Sequence, residues 1–265
     1  MIPEANDFLA ESEAIYELIN SHSDGSLQEV TAFKDWTLYE IIRHLHVWNT
    51  MAAYSLQGRD KFQAAAGELL KHLPEGGSLR DAENSYVGEV PAEELFQAWI
   101  SYARELAASF AAADPEERVA WAGPDMSAQS SIIARLMETW SHAQAIYDRL
   151  GVERENTDRI KAIAELGVRT YSWTFRNRQQ EVPQPKPHVR LTAPSGAQWC
   201  WNEESDSELV EGDAVQFCQV VTQSRNIADT DLAVTGENAT LWMSVAQCFA
   251  GGVETPPPPG VRKKA

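Results

Sequence analysis

Residues 135–150, RLMETWSHAQAIYDRL, carry apolar side chains at a helical period and place Glu138 and His142 four positions apart. On an α-helix that spacing is about 40° around the axis, so a carboxylate and an imidazole there can grip one cation. The apolar stripe runs through Ile132, Leu136, Ala143, Ile146 and Leu150, and His142 lies about 40° from Ile146. Both polar residues therefore border the core. Gly151 follows where a left-handed residue commonly ends a helix.

Two ligands on one helix need a third from another segment. Residues 35–48, DWTLYEIIRHLHVW, read as a second strongly apolar helix with Asp35 or Thr37 as its cap. His44 lies about 40° from Trp48 and about 60° from Ile41, so it too points inward. His46 lies about 200° round from His44, on a polar face with Arg43 and Thr50. A regular helix thus cannot offer the HxH pair to one metal, and His46 is expected as a solvated surface histidine.

An inward carboxylate and two inward imidazoles must be satisfied, because an ionised carboxylate buried without a partner costs several kcal/mol or neutralises. One solution is a divalent cation held by His44, Glu138 and His142. Two histidines and one carboxylate, with a position left for water or substrate, is the composition of a catalytic zinc site; nickel or iron suits the same ligands. The other is a hydrogen-bonded core network in which Glu138 pairs with Arg135 one turn back, since ExxxH on a helix is common.

Working outward, helical periods cover residues 3–21, the segment from the 35–37 cap to Leu56, a shorter run through Leu70, residues 91–112 and the helix ending at Leu150. The runs LRDAENSYVGEV (79–90) and WAGPDMS (121–127) read as loops at a pocket mouth. Trp36, Trp48, Trp121 and Trp140 can furnish its walls, although tryptophans at helical spacing are more often core. Four long helices make a bundle, followed by a further helix over 157–178. Beyond the proline-punctuated EVPQPKPH the pattern alternates as strands (HVRLTAP, AQWCWN, SELVEG, DLAVTG), with helical runs at 212–225 and 237–249. The expected architecture is α+β: a helical bundle over 1–178, a small α/β domain over 179–252 and a disordered tail over 253–265.

Composition narrows the function classes. Thirty-nine acids against twenty-two bases leave a net charge of −17, and RKKA at the end is the sole basic cluster. A polyanion would be repelled, which disfavours nucleic acid and favours a small-molecule substrate. No apolar run approaches the roughly 18 to 20 uncharged residues that span a bilayer, and MIPEANDFLAESEA lacks the order of a signal peptide, so a cytoplasmic location without a membrane partner is expected. Cys200, Cys218 and Cys248 are three thiols with no CxxC spacing, which points to reduced cysteines; Cys218 and Cys248 sit in apolar helical runs and read as core. Oligomeric state, a dimer included, stays open.

DWTLYEIIRHLHVW and ARLMETWSHAQAIYDRLGV resemble the two metal-binding helices of the DinB-like bundle superfamily, in the branch typified by mycothiol-dependent maleylpyruvate isomerase. The first motif there is a WT-initiated helix whose metal histidine precedes a leucine. The second is an ExxxH helix on the same metal, and His44, Glu138 and His142 fall on those positions. PDMSAQSSIIARLMETWSHAQ and VVTQSRNIADTDLAVTG further resemble a metal-binding subgroup whose C-terminal region is likened to a wyosine-formation domain; the acidic charge argues against a literal tRNA role.

The resemblance implies a zinc ion that binds a low-molecular-weight thiol cosubstrate, or water, at its open position. It also implies that Arg225 reaches an anionic substrate, although an arginine closing a helix is favoured there anyway. The expected activity is a zinc-dependent, thiol-assisted isomerase or S-transferase acting on a small electrophilic or carboxylate-bearing molecule. A hydrolase using zinc-bound water and a non-catalytic metal- or ligand-binding protein are the alternatives.

Overall fold

The computed structural model describes residues 1–22, 27–73 and 75–262. The chain forms two compact units, Met1–Leu150 and Gly151–Ala265. The first contains α1 (Glu4–His22), α2 (Leu38–Gln57), α3 (Arg59–Lys71), α4 (Leu79–Val87), α5 (Ala92–Ala112), a two-stranded hairpin of β1 (Arg118–Val119) and β2 (Met126–Ser127), and α6 (Ala128–Leu150). Among the described residues no helix is long and apolar enough to cross a membrane.

The four long helices form the bundle. α1 packs against α5 and α6, and α2 packs against the same two from the other side. The two helices that carry the ligand candidates, α2 and α6, are therefore neighbours. Ile41, His44, Leu45, Met51 and Ala52 are buried on α2, and Ile132, Leu136, Trp140, Ala143 and Ile146 are buried on α6.

Local chemistry sets the start of α2. The Thr37 hydroxyl accepts from the Glu40 backbone N–H at 3.2 Å, and the Glu40 carboxylate accepts from the Thr37 N–H at 2.8 Å. This capping box satisfies two amides that the helix itself cannot. Of the two caps expected, Thr37 is the one used, while Asp35 sits at φ 56 in the preceding turn. α6 ends as expected, with Gly151 at φ 66.

Two expected loops differ. Residues 79–87 are helical, because Ser78 and Asp81 make a second capping box and Ala82 and Glu83 are buried. Part of 121–127 closes the hairpin, Val119 opposite Met126.

The helix expected over 157–178 is two helices, α7 (Lys161–Arg169) and α8 (Tyr171–Asn177), preceded by a 3-10 turn at Asp158–Ile160. At the break the Thr170 hydroxyl donates to the Leu166 and Gly167 carbonyls. They group with the second unit, so its boundary falls after residue 150 rather than 178. The reason is packing: Gly167 lets α7 approach so closely that an added Cβ would lie 2.8 Å from the Val221 side chain.

That unit holds a four-stranded sheet, β3 (His188–Thr192), β4 (Gln198–Trp201), β5 (Leu209–Asp213) and β6 (Ala233–Thr235), in the order β4-β3-β5-β6. β3 runs parallel to β5 and antiparallel to β4, and β6 is antiparallel to β5. α9 (Ala214–Val221) and α10 (Glu237–Val245) complete it, with Tyr171, Phe217 and Trp242 in edge-to-face contact in its core. The class is α+β.

Residues 253–262, expected as a disordered tail, are tied down. The Arg178 guanidinium and the Gln223 amide both donate to the Glu254 carbonyl, Arg262 donates to the Gln223 carbonyl at 2.8 Å, and Pro257 is buried. Residues 263–265, the rest of the basic cluster, lie outside the described residues. Cys218 and Cys248 are buried and outside any disulfide, as expected, and Cys200 is exposed.

Candidate metal centre

α2 and α6 bring His44, Glu138 and His142 together, with one ligand atom from each lying within 4.8 Å of the others. The Glu138 Oε2 atom is 3.4 Å from His142 Nε2 and 3.8 Å from His44 Nε2. Both separations exceed the roughly 2.7–3.2 Å of a good hydrogen bond. They come close to the edge of about 3.3–3.4 Å that a tetrahedral ion with bonds near 2.0–2.1 Å sets between its ligands. Two imidazole nitrogens and a carboxylate oxygen converging in this way fit a zinc-type donor set.

The competing pairing of Glu138 with Arg135 does not form as a hydrogen bond. Arg135 is buried and its Nε donates to Asn49 Oδ1 at 3.1 Å, while Nη2 has no hydrogen-bond partner among the described residues. It does act on Glu138 as a nearby charge.

Exposure around the three donors is uneven. The Glu138 side chain keeps 25% of its accessible surface against 11% for His44 and 8% for His142, so the cluster opens to solvent on its carboxylate side. Phe33 meets the His142 ring edge-on at 4.8 Å, and Trp36 stacks on it at 5.9 Å while meeting His44 at 5.4 Å. Lys34 and Asp35, both at positive φ, fold the chain back between these two aromatics, and the Trp36 N–H donates to the Phe33 carbonyl at 2.9 Å. Trp36 is thus a wall of the site. Trp48 and Trp121 pack on each other one layer out, whereas Trp140 is fully buried core.

One residue that contacts the site is not legible in sequence. Glu83, carried by α4, is 1% exposed, and its Oε1 accepts from His44 Nδ1 at 2.8 Å and from Trp48 Nε1 at 2.8 Å. The histidine therefore sits between two carboxylates, one on each ring nitrogen. Nothing local in LRDAENSYVGEV marks a partner for a histidine 39 positions upstream. His142 differs, since its Nδ1 is buried without a hydrogen-bond partner among the described residues.

These placements fix the charges of the metal-free cluster. Burial opposes a charge on His44, but Glu83 and Glu138 outweigh it and raise the imidazolium to about 9. Burial would raise the Glu138 carboxyl, yet His142 and His44 hold it well below the usual carboxylate range. For His142, burial together with the neighbouring His44 charge wins over Glu138 and lowers the ring. The metal-free cluster thus favours an ionised carboxylate with the imidazolium charge at His44 rather than His142.

His46 departs from expectation. It is half-buried, meets the Tyr102 ring edge-on at 5.8 Å, and burial lowers its imidazolium. The angle that excludes it from the metal cluster is as expected, but α5 covers its face through Tyr102 instead of leaving it to solvent. Arg43 on the same side is buried too and sits over Tyr39 at 5.3 Å. Arg225 lies in the second unit just past α9, buried, with Nη1 donating to the Ser224 carbonyl at 2.9 Å.

With this geometry in view, comparisons with known proteins add the following. The family described as the mycothiol maleylpyruvate isomerase N-terminal domain matches residues 8–147, which includes all three ligand candidates and Glu83. Uncharacterized proteins of Mycobacterium tuberculosis, from strains CDC 1551 / Oshkosh and H37Rv, are each 34% identical over 260 residues, 97% of this chain and 97% of theirs. The crystal structures of a mycothiol-dependent maleylpyruvate isomerase and of a mutant of it superpose with TM-scores of 0.51 and 0.50 at 17% identity, covering 82% of this chain and 86% of each. At that identity the likeness is one of fold. The likening of the C-terminal region to a wyosine-formation domain gains no support from these matches.

Proposed function

Since the chain belongs to the family of the mycothiol maleylpyruvate isomerase N-terminal domain, we propose that it is a divalent-metal enzyme that uses a low-molecular-weight thiol to isomerise, or transfer sulfur to, a small electrophilic or carboxylate-bearing molecule. The observation that carries this reading is the convergence of His44 Nε2, His142 Nε2 and Glu138 Oε2 from adjacent helices. His44, Glu138 and His142 would hold the ion, with zinc the metal their chemistry favours. A bound zinc would supply a Lewis acid that keeps a thiol ionised at neutral pH, where a free thiol with a pKa near 8.5 is mostly protonated.

The chain's own residues do the rest. Glu138, the most exposed of the three, faces the side from which a cosubstrate arrives. Phe33 and Trp36 shield the imidazoles and offer an apolar wall to an unsaturated substrate. Arg225 is proposed as the cation for the substrate's carboxylate, following the resemblance of VVTQSRN to the isomerase's C-terminal arginine.

The test is metal analysis of protein purified without chelators or a metal-affinity tag, followed by turnover of a panel of electrophiles with several thiols. About one zinc per chain and turnover that needs both metal and thiol is the expected result. Metal-dependent turnover without thiol would replace this reading by hydrolysis. A metal-replete protein that binds a small molecule without turning any over would leave a binding protein, and a chain that takes up no metal would overturn the reading.

A further inference from the structure

We propose that Glu83 is a positioning residue for the metal centre: it fixes the tautomer and ring angle of His44, so that Nε2 rather than Nδ1 faces Glu138 and the metal. This rests on the metal reading above and deepens it. Glu83 comes from α4, outside the four long helices, and is 1% exposed. An acid so deeply buried needs a function for its charge, because burial alone would neutralise it.

Geometry defines that function. A single oxygen, Oε1, accepts two donors at 2.8 Å, the His44 ring nitrogen Nδ1 and the Trp48 indole N–H. Trp48 lies one turn beyond His44 on α2, so the two donors and the acceptor form a small rigid fork. With Nδ1 committed to donating, loss of the other ring proton on metal binding would free the lone pair at Nε2, which is 3.8 Å from Glu138 Oε2. A histidine held by a carboxylate on its far nitrogen is a stronger and better-aimed ligand than one without.

The second histidine shows what is missing without such a partner. His142 has its Nδ1 buried and, among the described residues, without a hydrogen bond, its ring packing edge-to-face with Phe33 and stacked with Trp36. The two imidazoles are therefore unequal ligands, and His44 is the one whose orientation is chemically locked. α4 reaches the imidazoles through Glu83, while its Arg80 sits over the Trp36 ring at 5.8 Å.

The experiment compares the wild-type chain with the variants Glu83→Gln and Glu83→Ala. Cobalt(II) is the probe, because its visible d–d bands report ligand geometry, and affinity is read by competition with a chromophoric chelator. The Gln carbonyl can still accept from both donors, so Glu83→Gln keeps the orientation and removes the charge. Glu83→Ala removes both. Expected is a 10- to 100-fold weaker cobalt affinity for Glu83→Ala with altered bands. Glu83→Gln should fall between it and wild type and keep the wild-type band positions, a partial rescue that a merely structural role would not give. If the alanine variant fails to fold, a Gln variant with weakened affinity carries the same conclusion. Cobalt uptake by wild type with both affinity and spectrum unchanged in the variants that fold overturns this inference alone. A wild type that takes up no cobalt overturns the metal reading and this inference together.

Discussion

Replacing Glu138 by Gln should abolish the response of the first unit to zinc while leaving that unit folded. The substitution is nearly isosteric, and the side chain is partly exposed, so the helix that carries it loses little packing. What it loses is the anionic oxygen that lies 3.4 Å from one imidazole and 3.8 Å from the other. An ion that binds only the folded state stabilises it by RT ln(1 + [L]/Kd), about 2.7 kcal/mol at a hundredfold excess over Kd. For a unit of the size of Met1–Leu150, each kcal/mol moves the midpoint by about 2–4 °C, so zinc should raise the wild-type transition by about 5–11 °C. The assay is differential scanning calorimetry of each protein with and without zinc, the metal-free midpoints serving as their own references. Magnesium at equal concentration controls for loose cation binding to a chain of net charge −17, because hard cations prefer all-oxygen sites. His46→Ala is a second control; its ring lies against Tyr102, and its zinc shift should equal that of wild type whatever its own midpoint. An undiminished zinc shift in Glu138→Gln would refute Glu138 as a ligand, and a lost shift in His46→Ala would refute the geometry.

Glu40→Ala should cost on the order of 1 kcal/mol at pH 7 through loss of the α2 capping box and its ion pair with Arg80. Burial pushes the Glu40 carboxyl up, but the Thr37 amide and Arg80 hold it below its ordinary value of 4.5. The group's contribution is therefore present above that value and lost as pH falls through the folded one, so urea unfolding should show the variant's deficit at pH 7 shrinking towards pH 3. Trp99→Ala, at a fully buried position on α5, should destabilise the first unit by about 3–5 kcal/mol with no effect on the second, read as a shift of one calorimetric transition. Gly236→Ala should do the reverse, at about 1–3 kcal/mol. Gly236 sits at φ 95, and a Cβ there would collide with the Ser207 carbonyl and with the Glu208 carboxylate that holds the Asn238 and Ala239 amides at the start of α10.

What could be read from sequence follows from what a helical period measures. It measures angle, and angle is enough to place His44, Glu138 and His142 on inward faces and to keep His46 off their side of α2. It does not measure cover. His46 is expected in solvent because it lies opposite His44, yet a helix between two neighbours has little open face, and Tyr102 of α5 packs over it. Nor does period say which unit a helix joins. α7 has an apolar stripe that would suit the bundle as well, and the deciding feature is a missing side chain at Gly167 facing Val221 and Phe217. The tail misled through composition, since PPPPG reads as solvated while its neighbours Glu254 and Arg262 are anchored through backbone groups that composition cannot reveal. Glu83 marks the limit of the approach. It lies on a nine-residue helix in which only Ala82 and Glu83 are buried, too short for a stripe to declare a face. A candidate ligand can be found from the helix that carries it, whereas a carboxylate that hydrogen-bonds it from elsewhere in the chain shows itself only once the backbone has folded.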